Sequence, residues 1–138
     1  TIVNPTLFRL PPPPPHPNLQ LIPLLQKTKD LYLLWYGYYK SLPKEHRYTL
    51  GIKIDILLSE TIEAISGASF SVGLEKLPYI KLAIRKTDGL KIFSLLLWET
   101  KSLDNKKYIE LSEKINEIGR MLGGWNGQVI KQNSPTNK

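Results

Sequence analysis

The chain has 138 residues, 41% of them hydrophobic, with a formal net charge of +7, no cysteine and two histidines. That length suits one domain with a single core. The missing thiols exclude disulfides, thiolate nucleophiles and thiolate metal sites and are compatible with a reducing cytoplasm. The basic balance points to an anionic partner: nucleic acid, an acidic protein or a membrane surface.

Residues 1–20 read as a proline-rich tail. Pro11 to Pro15, His16 and Pro17 predict a polyproline II rod without internal hydrogen bonds, serving as a spacer or as a ligand for a proline-binding groove. No stretch approaches the ~20 apolar residues of a membrane span, and the N-terminus lacks the basic and apolar regions of a signal peptide.

The first helix is predicted over 24–42, with Leu24, Leu31, Leu34, Trp35 and Tyr38 on one face and Tyr32, Tyr36 and Tyr39 flanking it. Pro23 suits its first turn, and Ser41-Leu42-Pro43 ends it. A second helix is expected over 44–66, with Leu50, Ile54, Leu57, Leu58, Thr61 and Ile65 inward. A small-residue turn over 67–73 follows, with Ser71 as a candidate cap.

The third helix is predicted over 74–101 and is apolar nearly all round. Leu82, Gly89, Leu90, Phe93, Leu96 and Leu97 cover one face; Ile80, Ile84, Thr87, Leu95 and Trp98 cover another. Such a helix is buried on more than one side, either as the centre of the monomer or against a second copy. The fourth, over 104–129, carries a clean stripe of Tyr108, Leu111, Ile115, Ile118, Leu122, Trp125 and Val129. Gly119 and Gly123, four apart, would let a neighbouring helix approach closely. The tail after 131 is polar and expected to fray. No period-2 alternation occurs. The fold class is therefore all-α, an up-down-up-down four-helix bundle over 21–131.

No catalytic constellation is visible. His16 and His46 lack carboxylate company at metal-binding spacing, no phosphate loop or nucleophile elbow occurs, and Glu60 and Glu63 read as surface ion-pair partners rather than an acid–base pair. The chain is expected to be neither an enzyme nor a holder of metal or cofactor. Positive charge gathers over 76–91 (Lys76, Lys81, Arg85, Lys86, Lys91 against Asp88) and around Lys44 and Arg47, where aromatics interleave as RNA stacking requires. The alternative is that Arg47 and Lys91 pair internally with Asp55, Glu60 or Glu99.

Four strings carry a family resemblance: Leu42-Pro43-Lys44-x-x-Arg47-Tyr48-Thr49-Leu50-Gly51, Asp88-Gly89-Leu90-Lys91, Lys107-Tyr108-Ile109, and Glu117-Ile118-Gly119-Arg120-Met121-Leu122-Gly123-Gly124-Trp125. Over about 21–131 the chain resembles the Avd family, the accessory variability proteins of diversity-generating retroelements, related to the four-helix-bundle proteins encoded in ribosomal-RNA intervening sequences. The proline-rich N-terminus is outside that pattern.

The resemblance implies a homopentameric barrel with a basic surface. It also implies binding to the element's reverse transcriptase and template-repeat RNA in support of mutagenic cDNA synthesis, without catalysis. By carry-over, Arg47, Lys81, Arg85, Lys91 and Arg120 are the candidate RNA or polymerase contacts, with Lys44 and Lys86 behind them. Pro43, Gly51, Gly119, Gly123 and Trp125 are assigned to packing. The family's orphan members, without a neighbouring reverse transcriptase, leave a second reading open: an oligomeric protein-interaction module.

Overall fold

The computed structural model describes residues 21–135; the expectations for the tail over 1–20 and for the last three residues lie outside them. Four long helices follow one another: α1 (Pro23–Tyr39), α2 (Ile52–Ser69), α3 (Lys76–Glu99) and α4 (Asn105–Gln132). No strand occurs among the described residues. Each helix packs on its two neighbours around a square. α3 contacts α2 and α4 most extensively, and α1 closes the ring against the same two. This is the expected antiparallel bundle.

Local chemistry sets the boundaries. Pro23 opens α1, whose first bond runs from the Gln26 N–H to the Ile22 carbonyl at 3.0 Å. α1 stops at Tyr39 rather than at residue 42, because the residue before Pro43 is held out of the helical region. Leu42, 2% exposed, instead plugs the core from the connection. A three-residue helical turn, Lys44–His46, leads into a π-helical turn, Arg47–Gly51, and then α2.

α2 runs to Ser69, past the expected end at 66. Ser71 does not cap the next helix: its hydroxyl donates back to the Gly67 carbonyl at 2.8 Å and closes α2 instead. Gly73, at φ 57°, takes the left-handed turn into a 3-10 turn, Gly73–Glu75, and α3. Pro78 falls in the first turn of α3, where a missing N–H costs little.

The α3–α4 connection is a Schellman closure. The Ser102 N–H reaches the Leu97 carbonyl at 2.8 Å and the Lys101 N–H reaches Trp98 at 2.9 Å, with Lys101 itself at φ 63°. Asp104 then caps α4, its Oδ1 accepting from the Lys107 N–H at 2.8 Å.

The core is continuous, with Leu31, Trp35, Ile54, Leu58, Ile65, Ile80, Leu90, Leu97, Leu111, Ile115 and Ile118 all fully buried. One buried threonine on each of α1, α2 and α3 satisfies its hydroxyl on the carbonyl four residues back: Thr28 to Leu24 at 2.8 Å, Thr61 to Leu57 at 2.7 Å and Thr87 to Ala83 at 2.8 Å.

α3 presents Ile80, Ala83, Thr87, Leu90, Ser94 and Leu97 to the core. Leu82 and Leu96, expected on the same face as Leu90 and Leu97, are exposed, as are Ile92 and Trp98. The small residues at 83, 87 and 94 let α3 sit close to its neighbours, and the larger side chains turn outward.

Candidate nucleic-acid interface

The candidate cations separate along the bundle. α1 ends, α2 begins, α3 ends and α4 begins at one end of the molecule, so Lys44 and Arg47 lie there. Arg85 is fourteen positions before the last residue of α3, about 20 Å away at 1.5 Å per residue. The seven residues therefore do not form one cluster.

Lys81 and Arg85, one turn apart, are exposed on the outward side of α3 and form no ion pair or hydrogen bond among the described residues. Arg120 is exposed on α4 and also lacks such a partner, though its charge helps lower the Glu117 pKa. Lys91 reaches Asp88 Oδ1 at 3.4 Å, and its Nζ is 3.6 Å from where a Cβ on Gly119 would stand. Lys86 pairs with Glu60 across α2 and α3 at 3.4 Å, so Glu60 is engaged in an ion pair.

Arg47 has a structural position. Its Nη2 donates to the carbonyls of Lys40 at 3.2 Å and Leu42 at 3.0 Å, tying down the end of α1. The internal partners expected for Arg47 and Lys91 were Asp55, Glu60 or Glu99; backbone oxygens and Asp88 take those places.

Pro43 starts the turn that follows, its carbonyl accepting from the Arg47 N–H at 2.9 Å. Gly51 is buried where a Cβ would stand 3.1 Å from the Tyr39 ring and 3.2 Å from Leu42, so a side chain there would push both neighbours by a few tenths of an ångström. Trp125 packs half-buried on the core with Lys76 Nζ 5.7 Å from its ring centroid. Gly123, expected to admit a neighbouring helix, has nothing within 4 Å of its Cβ position, and neither do Gly124 and Gly127.

The end bearing Lys44 also holds further cations that lie apart in the sequence. Lys40, Lys101, Lys106 and Lys107 belong to the same end as Lys44 and Arg47, among Glu45, Glu99 and Asp104. Aromatics are interleaved with them. Tyr48 is 60% exposed, Lys40 Nζ stands 4.7 Å over the Tyr36 ring, and Lys107 Nζ 5.5 Å from the Tyr38 ring. Trp98 stacks on Tyr108 at 5.3 Å with its Nε1 donating to Asn105 at 2.7 Å. His46 Nδ1 lies 2.5 Å from the Ser102 hydroxyl. The Lys106-Lys107 pair after a Schellman turn was the available signal, but it becomes part of a cluster only once the four helix ends are brought together.

Three groups are electrostatically perturbed. Burial, reinforced by donation to Glu110 at 2.7 Å, pushes the Tyr38 phenol up to about 12. Tyr32 is raised by its 2.8 Å bond to Asp55 and by burial. Lys27, 2.5 Å from Glu117, holds that carboxyl below its usual range. All three belong to links between helices. Among the described residues no group of three or more His, Asp or Glu is placed to hold a metal ion, and no helix is long and apolar enough to cross a membrane.

No family model and no curated protein matches the sequence. The fold does have a solved counterpart: a protein of unknown function from the S23 ribosomal protein family of Bacteroides thetaiotaomicron. It superposes with a TM-score of 0.70 at 15% identity, over 75% of this chain and 95% of that one. The likeness is one of fold, the four-helix bundle.

Proposed function

We propose that this chain is a non-catalytic, self-associating scaffold that binds RNA, acting as the accessory protein of a diversity-generating retroelement beside its reverse transcriptase in the cytoplasm. The observation that carries the RNA part is the pair Lys81 and Arg85, exposed and without internal carboxylate partners in a chain of net charge +7. Free cations on a rigid helix neutralise phosphates and release counterions. The basic, aromatic-lined end around Lys44, Lys107, Tyr48 and Trp98 adds stacking surfaces of the kind RNA uses.

Self-association is supported by the outward side of α2 and α3. Ile56 on α2 and Ile92 and Leu96 in the C-terminal half of α3, beyond Lys81 and Arg85, are exposed there, and a second copy packed over that half would bury them and leave the two cations open. The pentameric barrel and the polymerase partner rest on the resemblance of the Leu42–Gly51 and Glu117–Trp125 strings to the Avd family. The bundle fold agrees with that resemblance. The orphan reading, an oligomeric module without polymerase, keeps the apolar face and dispenses with the cations.

The test is RNA binding as a function of salt. Each phosphate neutralised on a single strand contributes about 0.7 to the slope of log affinity against log salt. Replacing Lys81 and Arg85 together by Ala is expected to reduce that slope by about 1 to 1.5 while the helical spectrum is unchanged. An unaltered slope removes both residues from the interface, and no salt-dependent RNA binding at all favours the orphan module.

A further inference from the structure

A groove of about 670 Å³ opens at the other end of the bundle, between the start of α1 and the last turns of α4. Ile22, Pro23, Met121 and Trp125 give it mainly apolar walls. Lys76 stands at its rim, fixed by donation to the Ala68 carbonyl at 2.9 Å and lying over the Trp125 ring. Gln128, exposed on α4, supplies a second polar group. We infer that this groove is the docking site for the chain's own proline tract, residues 11–17.

Three observations fix the occupant. The first is where the chain enters. Ile22 lines the groove and has φ −62° and ψ 153°, the polyproline II region, so the backbone reaches α1 already in the conformation the tract prefers. Pro17 is five positions away, a reach of at most about 18 Å, enough to turn back over the groove but not to reach the opposite end.

The second is chemistry. Proline-rich segments dock on aromatic-lined apolar grooves because their φ angles are set beforehand and little ordering entropy is lost. Their carbonyls have no internal donors, and the Lys76 ammonium and the Gln128 amide provide them.

The third is Gly124 in the groove wall. A glycine inside a helix costs stability relative to alanine. Nothing in the bundle lies within 4 Å of the Cβ position there, so packing among the described residues does not require it. A bare backbone on that wall admits a closely approaching segment. A short tether also holds the tract at a millimolar effective concentration, so modest intrinsic affinity suffices.

The experiment uses the full chain and reads the Trp125 indole N–H and Gly124 amide resonances. One variant carries Pro12→Ser, Pro13→Ser, Pro14→Ser and Pro15→Ser, which leave the bundle untouched. The resonances are expected to differ between the parent and this variant equally at high and low protein concentration. A synthetic peptide of residues 9–18 should return the variant to the parent positions, with a peptide affinity of about 0.1 mM, and a fluorescently labelled copy followed by anisotropy should saturate the parent only at about ten-fold higher concentration, because the tethered tract competes.

Gly124→Leu, which meets open space and improves helix propensity, should keep the fold and abolish the peptide response. Identical resonances in parent and variant, equal saturation by peptide, or an unchanged response in Gly124→Leu would overturn the inference. A difference that fades on dilution would overturn it too, because the occupant would then be the tract of a second copy.

Discussion

Three glycines within five residues of α4 give the sharpest stability prediction. Gly123, Gly124 and Gly127 lie inside Asn105–Gln132, and a Cβ at any of them would meet nothing within 4 Å. Glycine in a helix interior is worse than alanine by roughly 0.5–1 kcal/mol, through the extra freedom it gives the unfolded chain. Measured in the Pro12→Ser, Pro13→Ser, Pro14→Ser and Pro15→Ser variant, in which the tract does not cover Gly124, Gly123→Ala, Gly124→Ala and Gly127→Ala should each stabilise by that amount, and together by about 2 kcal/mol. For a domain of this size that is a rise in Tm of about 5–10 °C. The check is urea and thermal unfolding followed by far-ultraviolet circular dichroism.

Gly51→Ala is the internal control, with the opposite sign. Its Cβ would stand 3.1 Å from Tyr39 and 3.2 Å from the buried Leu42, and overpacking of about 1–3 kcal/mol outweighs the propensity gain. Destabilisation by the α4 triple variant would refute the reasoning, because it would mean that those positions are packed in the folded state.

Other expectations follow from the helix ends and the tyrosines. Asp104→Ala removes the side-chain N-cap of α4 and should cost about 1 kcal/mol, with Asp104→Asn close to the parent, read from denaturant midpoints. Lys101→Gly should stabilise by about 1 kcal/mol, since Lys101 holds φ 63° at the Schellman position where glycine is unstrained. The Tyr38 phenol is raised from 10.0 to about 12. Its contribution is therefore fully present below pH 10 and lost as pH rises through 12. Tyr38→Phe should remove that part of the alkaline slope in stability.

The helices and their order were legible because three of the four have one clear apolar stripe, and because Pro23, Pro43 and Asp104 mark starts through φ restriction and side-chain capping. The π-turn at Arg47–Gly51 was not. One inserted residue leaves no mark in residue type, and it explains why Leu50, four positions before the buried Ile54, is only half-buried.

The inward face of α3 was also hidden. When a helix is apolar all round, periodicity cannot choose a side; close approach did, selecting Ala83, Thr87 and Ser94 over the larger Leu82, Ile92 and Leu96. The candidate cations could be picked out singly. Their grouping depends on which helix ends meet, and this puts Lys44 with Lys101 and Lys107, and leaves Lys81 and Arg85 apart.

The central claim is a self-associating, RNA-binding scaffold. Light scattering in line with size-exclusion chromatography, with absorbance at two wavelengths before and after nuclease, tests both halves at once. The expected result is a mass about five times the 15.8 kDa chain, carrying nucleic acid that nuclease removes. A clean 15.8 kDa monomer free of nucleic acid would contradict it.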